Sequence, residues 1–278
     1  MYVFICFNVL LCVYLYADAQ FVGPSNIKTR ILGGTPTTIQ QYPVIAQLLL
    51  DTWGKKQFVQ YCAGVIVTAH HLISAAHCYQ YNKDTGRNYS LPKYWKIRVG
   101  STYRSKGGSL ENIKQFIIHP SFDKGFYTND ISVILTTRAL GFSDNVRKAT
   151  IPLHQTEIKD NAVVTLIGWG VTKIGGDQSE DLLKVNMRTI NHKTCSERYT
   201  KIGAVIGDTM MCAGKLDATG IDGCHGDSGG PLIYNGFVVG LVSFGYACGH
   251  SYYPGVYTKI SHFTDWILKT VSTTQNVL

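Results

Sequence analysis

Short apolar runs recur along the chain at close spacing, separated by glycine-rich or polar turns: VIV (65–67), LISAA (72–76), KIRVG (96–100), ISVIL (131–135), VVTLIGWG (163–170) and FVVGLVSFG (237–245). Each is long enough for a strand, and no helix-period segment of any length precedes the C-terminus. A chain built this way is all-β, folded as a barrel or a sandwich. One segment breaks the pattern. SHFTDWILKTV (261–271) puts Phe263, Trp266, Ile267 and Val271 on one helical face behind Ser261 as N-cap, which predicts a terminal helix docked on the sheets. Of the 278 residues 45% are hydrophobic and 16% charged, enough apolar material for a sizeable core. No repeat or low-complexity linker divides the chain. The most irregular stretch, CYQYNKDTGRNYSLPKYW (78–95), reads as a long surface loop carrying the sequon Asn88-Tyr89-Ser90, a candidate glycosylation site.

The first residues belong to targeting rather than to the fold. VFICFNVLLCVYLY (3–16) is too short to span a bilayer comfortably and is followed by the small-x-small triplet Ala17-Asp18-Ala19. It reads as a signal peptide over 1–19, cut before Gln20, and no later stretch could cross a membrane. Six cysteines then remain, Cys62, Cys78, Cys195, Cys212, Cys224 and Cys248. An even number in an oxidising compartment predicts three disulfides, of which sequence alone leaves fifteen pairings open. No two of them are spaced as a C-x-x-C zinc half-site. The formal charge of +8 is uneven: Lys83, Arg87, Lys93, Lys96, Arg98, Arg104, Lys106 and Lys114 face only Asp84 and Glu111 between 83 and 114. That stretch is either a solvated basic face or a site for a polyanion, and no nucleic-acid motif accompanies it.

The chemistry lies in DGCHGDSGGP (222–231), which sets Ser228 in a glycine frame behind two aspartates. A serine hydroxyl becomes a useful nucleophile when a base takes its proton and a carboxylate fixes that base. His77, in LISAAHC, stands at a strand end. Asp130, in NDISVIL, opens an apolar strand, where a carboxylate is costly unless something charged or hydrogen-bonded meets it. The motifs SAAHC, NDIS, GWG, GDSGGP and PGVYTKI, in that order, resemble the trypsin-like serine proteases of the chymotrypsin family. The order His77, Asp130, Ser228 separates this family from the subtilisin-like and α/β-hydrolase enzymes that use the same groups.

The resemblance covers Ile31 to about Ser272 and implies two six-stranded antiparallel β-barrels with the active site between them, plus a C-terminal α-helix. It implies disulfides Cys62–Cys78, Cys195–Cys212 and Cys224–Cys248, a pattern similar to invertebrate trypsins. It gives His77, Asp130 and Ser228 as catalytic residues and the N–H groups of Gly226 and Ser228 as the oxyanion hole. Asp222 would form the floor of a pocket for arginine or lysine, with Ser243, Gly245 and Gly255 also at the substrate site. KTRILGG (28–34) resembles the family's activation site: a propeptide over 20–30 is cut after Arg30, and the new Ile31 ammonium pairs with Asp227, leaving a peptidase domain over 31–278. The chain departs from the family pattern at Ser132, where alanine is usual, at Gly223 beside Asp222, and at Phe244, where tryptophan is usual. The family's calcium loop corresponds to STYRSKGGSLENIKQF (101–116), whose single acid, Glu111, faces three cations, so no metal and no cofactor is expected. Expected partners are protein or peptide substrates with Arg or Lys at the cut and protein protease inhibitors, with no nucleic acid and no membrane, around a secreted monomer. The rival reading is a catalytically silent, secreted binding protein on the same fold.

Overall fold

The computed structural model describes residues 34–52, 54–82, 87–171, 176–216, 226–247 and 249–275. The expected leader and propeptide with Arg30 and Ile31, the pocket residue Asp222, and Cys224 and Cys248 lie outside these residues. Strands run in chain order as β1 (Thr35–Pro36), β2 (Ile45–Asp51), β3 (Phe58–Ile66), β4 (His71–Ser74), β5 (Tyr81–Asn82), β6 (Arg87–Asn88), β7 (Trp95–Val99), β8 (Ser109–Ile118) and β9 (Ser132–Thr136). They continue as β10 (Val163–Gly168), β11 (Leu183–Ile190), helix α1 (His192–Thr200), β12 (Met210–Gly214), β13 (Pro231–Tyr234), β14 (Phe237–Phe244), β15 (Gly255–Lys259) and helix α2 (Ile260–Gln275).

Two antiparallel barrels result, as the family resemblance implied. The first is the closed ring β2-β3-β4-β9-β8-β7. In the second, β11-β10-β13-β14-β15-β12 closes through β11–β12 pairing, and β1 adds at the edge of β11. Strand alternation fills each interior: on β7, Trp95, Ile97 and Val99 point inward while Lys96 and Arg98 stay partly exposed. Leu48, Leu50 and Ile134 complete that core, and Val164, Leu166, Val185, Leu232 and Tyr257 fill the second. Full burial of each such side chain contributes about 1.5–3 kcal/mol. A third cluster joins the barrels: Val65, Ile73 and Val133 of the first pack with Val238 and Leu241 of the second and with Ile260, Phe263 and Ile267 of α2. Because the barrels share this core, the loops at its edge are held in fixed relation.

Four expectations need correction. Ser261 is not an N-cap: β15 hands directly to α2 at Ile260, and Ser261 is buried inside the first turn, its carbonyl accepting Gln155 N–H at 2.9 Å. A helix does precede the C-terminus. It is α1, short, capped by the Asn191 side chain on Thr194 N–H and pinned by the Cys195–Cys212 disulfide. Residues 101–116 are not one loop, because from Ser109 they form β8, whose exposed side chains apart from Leu110 are polar and whose pairing with β9 is broken by a bulge. Residues 78–95 are likewise not all surface loop. Cys78, Tyr79, Tyr89 and Trp95 are buried in the first-barrel core, and the β5–β6 hairpin lies between. Asn88 itself is exposed, its Oδ1 accepting Ser90 Oγ–H at 2.6 Å.

Candidate active site

His77 lies on a 3-10 turn (Ala76–Tyr79) that follows β4, and the Cys62–Cys78 disulfide fastens that turn to β3. Asp130 is delivered by the loop before β9. Tyr127 and Asn129 there adopt left-handed backbone, φ 55° and 53°, a conformation uncommon for residues with a Cβ. Asn129 Nδ2 donates to Ser121 O at 2.8 Å and Asp123 N to Thr128 O at 3.1 Å, which holds the loop in place. The Asp130 side chain is fully buried and that of His77 is 18% exposed.

The carboxylate is met from three sides. Oδ1 accepts the His77 backbone N–H at 2.9 Å, and Oδ2 accepts His77 Nδ1–H at 2.7 Å and Ser243 Oγ–H at 2.5 Å. Thr258 Oγ1 donates to the Asp130 carbonyl at 2.7 Å, so strands of the second barrel hold the acid of the first. These donors offset the cost of burying the charge. An ionised carboxylate only accepts, so Nδ1 carries the ring hydrogen and Nε2 is left as the basic nitrogen.

Ser228 sits on a turn strapped to both barrels. Its carbonyl accepts Ala63 N–H of β3 at 2.8 Å, Gly229 N–H donates to Val242 O of β14 at 2.8 Å, and Gly230 N–H closes the turn on Asp227 O at 2.7 Å. Gly229 has φ 77°, and a Cβ there would collide with Ser74 Oγ and the Ala63 carbonyl, so only glycine fits. Gly226, at φ 97°, precedes the turn, and its carbonyl accepts Gln60 Nε2–H of β3 at 2.7 Å. A cleft of about 510 Å³ brings together His77, Ser228, Gly226, Ser243, Gly245 and Gly255. Its walls are aromatic: Tyr61 of β3 from the first barrel, Phe244 and Tyr246 at the end of β14 and just beyond it, and Tyr127, whose ring meets His77 at 5.6 Å and Phe244 at 5.4 Å.

Asp227 is not part of the cleft lining. It is fully buried, with Oδ1 accepting Gly170 N–H at 2.8 Å, and its carboxylate occupies the space that side chains at Gly168 and Gly170 would need. The GWG motif is therefore the cradle of this acid. Glu111 is engaged elsewhere, with Oε2 2.7 Å from Arg138 Nε. Cys62, His77 and Cys78 lie within metal-ligand distance of one another, but both sulfurs are held in their disulfide.

Sequence reasoning missed Gln60, Gln178, Tyr61 and Tyr127 at this cleft. Gln178 lies where a side chain on Gly226 would stand. A glutamine in an otherwise apolar strand was the available signal for Gln60, since its burial at 5% exposure calls for a partner.

A protein-family model described as Trypsin matches residues 31–267. Among similar curated proteins, "Trypsin, alkaline A" of Manduca sexta is 41% identical over 238 residues, covering 86% of this chain and 90% of that protein. "Trypsin CFT-1" of Choristoneura fumiferana is 39% identical over 240 residues, with 86% and 90% covered. "Achelase-1" of Lonomia achelous is 38% identical over 217 residues, with 77% and 95% covered.

Proposed function

The chain belongs to the trypsin family and is a trypsin-like serine endopeptidase, and from that premise we propose that it is secreted as a zymogen and cleaves polypeptides after Arg or Lys with a triad of His77, Asp130 and Ser228. The observation that carries this reading is the hydrogen-bonded His77–Asp130 pair set beside Ser228 in one cleft.

Ser228 Oγ attacks the carbonyl carbon while His77 Nε2 takes its proton. The tetrahedral oxyanion is received by the N–H groups of Gly226 and Ser228. His77 returns the proton to the leaving nitrogen, the C–N bond breaks, and an acyl-enzyme remains. Water then attacks with His77 again as base, releasing the acid and regenerating Ser228. Asp130 holds Nδ1–H in place and stabilises the imidazolium. These roles are the family's general triad carried onto these residues. Asp222 supplies the counter-charge for the substrate cation, with Gly245 and Gly255 leaving the pocket entrance open. Ser243 serves the site from behind, by donating to Asp130.

Activation follows from Asp227. A carboxylate buried at 0% exposure calls for a cation. Cutting after Arg30 creates one at Ile31, which folds in against Asp227 and orders the adjoining oxyanion-hole peptide. A leader over 1–19 directs the chain out of the cell, and the Cys62–Cys78 and Cys195–Cys212 bridges suit that compartment. We assign the third bridge to Cys224 and Cys248, and protein protease inhibitors to the same cleft.

Asp222→Ser tests the specificity. Removing the partner of a buried cation costs about 2–5 kcal/mol, so kcat/KM on an Arg substrate should fall by roughly thirty-fold to a few-thousand-fold. An unchanged kcat/KM would remove Asp222 from the pocket.

A further inference from the structure

The basic stretch of the sequence has no part in this mechanism. On β7 the inward row is buried, so Lys96 and Arg98 stand on the outer surface of the first barrel. Arg98 turns its guanidinium onto Arg104 O at 2.6 Å. Lys96 keeps its ammonium at the surface, over the Phe58 ring at 5.8 Å, and donates to Asn112 Oδ1, a neutral acceptor that leaves the charge uncancelled. Lys93 is exposed over the Tyr94 ring at 5.0 Å, and Lys55 and Lys56 are exposed on the β2–β3 turn. Among the described residues, the nearby acids Asp51 and Glu111 are committed inward. Asp51, 5% exposed, accepts the backbone N–H groups of Lys55 and Lys56 at 3.1 and 3.0 Å, and Glu111, 6% exposed, holds Arg138.

This face runs into the cleft. Gln60, Leu49 and Lys96 stand in one cross-strand row, and strands about 4.8 Å apart set the Lys96 backbone ~10 Å from that of Gln60. A second track is aromatic: Tyr61 in the cleft wall meets Tyr89 at 6.3 Å, and Tyr89 meets Tyr94 at 6.5 Å, beneath Lys93. With the specificity pocket at Gly245 and Gly255, as proposed above, the acyl half of a substrate lies along Phe244 and the leaving half is left the Tyr61 wall of the same cleft. At ~3.3 Å per extended residue it reaches the lysines about three to five residues after the scissile bond.

We propose that Lys55, Lys56, Lys93 and Lys96 form an exosite that captures an acidic stretch of a protein substrate on the C-terminal side of the cut. The proposal rests on the Arg/Lys endopeptidase reading and adds to it a substrate class, proteins whose cleavage site is followed within a few residues by clustered Asp or Glu.

Two peptides with identical neutral residues around one Arg test it, one carrying a Glu cluster beginning four residues after the cut and the other Gln in its place. The activated protein should favour the Glu peptide ~10-fold in kcat/KM at low salt, with the preference mostly gone at about 0.5 M salt. A variant with Lys→Gln at all four positions should cleave both peptides at the rate of the wild type on the Gln peptide. Equal kcat/KM for both peptides on the wild type, or a preference surviving in the variant, overturns the exosite. Capture is also read without cleavage, by fluorescence anisotropy of a labelled Glu-rich peptide lacking Arg and Lys on the Ser228→Ala protein. Salt-sensitive binding that the four substitutions abolish supports the exosite even if the Arg peptides resist cleavage, an outcome that would sink the specificity reading instead. A sulfated polysaccharide binding where the Glu peptide does not would reassign the face and refute the proposal.

Discussion

Gln60→Met asks whether the first barrel positions the oxyanion hole. Gln60 is 5% exposed, and its Nε2 donates to Gly226 O at 2.7 Å across 166 residues of sequence. Methionine keeps the length and removes the donor, so a buried carbonyl loses its partner, at a cost of about 1–3 kcal/mol. Gly226 carries both that carbonyl and an N–H assigned to the hole, and its φ of 97° leaves a glycine room to relax. Complete loss of one oxyanion donor costs about 2.7–4 kcal/mol. A displaced donor should cost less, and ~1–2 kcal/mol on the transition state corresponds to a five- to thirty-fold drop in kcat. Steady-state kinetics on an Arg amide should therefore show kcat falling with KM nearly unchanged. An Arg aldehyde, whose hemiacetal needs the hole, should bind more weakly by a similar factor, while an aromatic amidine that only fills the pocket should bind as before. Gln60→His, which can restore an N–H, should recover much of the loss. An unchanged kcat, or equal weakening of aldehyde and amidine, would refute this role for Gln60.

The zymogen should activate itself with a lag that shortens as protein concentration rises, yielding Ile31 as the new terminus. Asp227→Asn, cut after Arg30 by added trypsin, should stay nearly inactive because a neutral amide does not compensate a buried ammonium, and full activity of that cut variant would contradict the capture. Acid should loosen the docking of α2 through His71. Thr68 Oγ1 accepts the N–H groups of His70 and His71, so it must donate to His71 Nδ1 at 2.7 Å, while Nε2–H reaches Thr274 Oγ1 of α2 at 2.8 Å. Burial first, and the neighbouring His70 second, hold His71 below its ordinary value of 6.5. The unfolded chain therefore takes the proton first, and this share of stability, full above pH 6.5, is lost as pH falls from there through the lowered folded value. Urea midpoints between pH 8 and 5 should fall more for the wild type than for His71→Gln, and parallel curves would remove His71 from the account.

The candidate catalytic residues stood out in the sequence because each sits in a local motif, with Asp130 opening a strand and Ser228 in a glycine turn. The two barrels came from the family resemblance, since short apolar runs alone stop at barrel or sandwich. What escaped was set by contacts far apart in sequence. Gln60 reads as an ordinary strand polar until the second barrel brings Gly226 onto it. β8 buries a charged residue, Glu111, beside Ile113, exposes Leu110 along with Asn112 and Lys114, and is bulged, so its signal resembles a loop. α1 buries only Cys195 and Tyr199, too little for a visible apolar stripe, and owes its place to a disulfide and a cap. Ser261 looked like a cap because its residue type fits one, yet the strand enters the helix without a break.

The most direct test of the central claim is fluorophosphonate labelling of the protein after cleavage at Arg30, with the modified residue located by mass spectrometry. In the proposed mechanism the nucleophile is Ser228 with its proton drawn off by His77, so the account predicts stoichiometric modification at Ser228, lost in His77→Ala and suppressed by an Arg-mimicking amidine. Folded, correctly cut protein that fails to react, or that reacts at another residue, would contradict it and favour a silent homologue on the same fold.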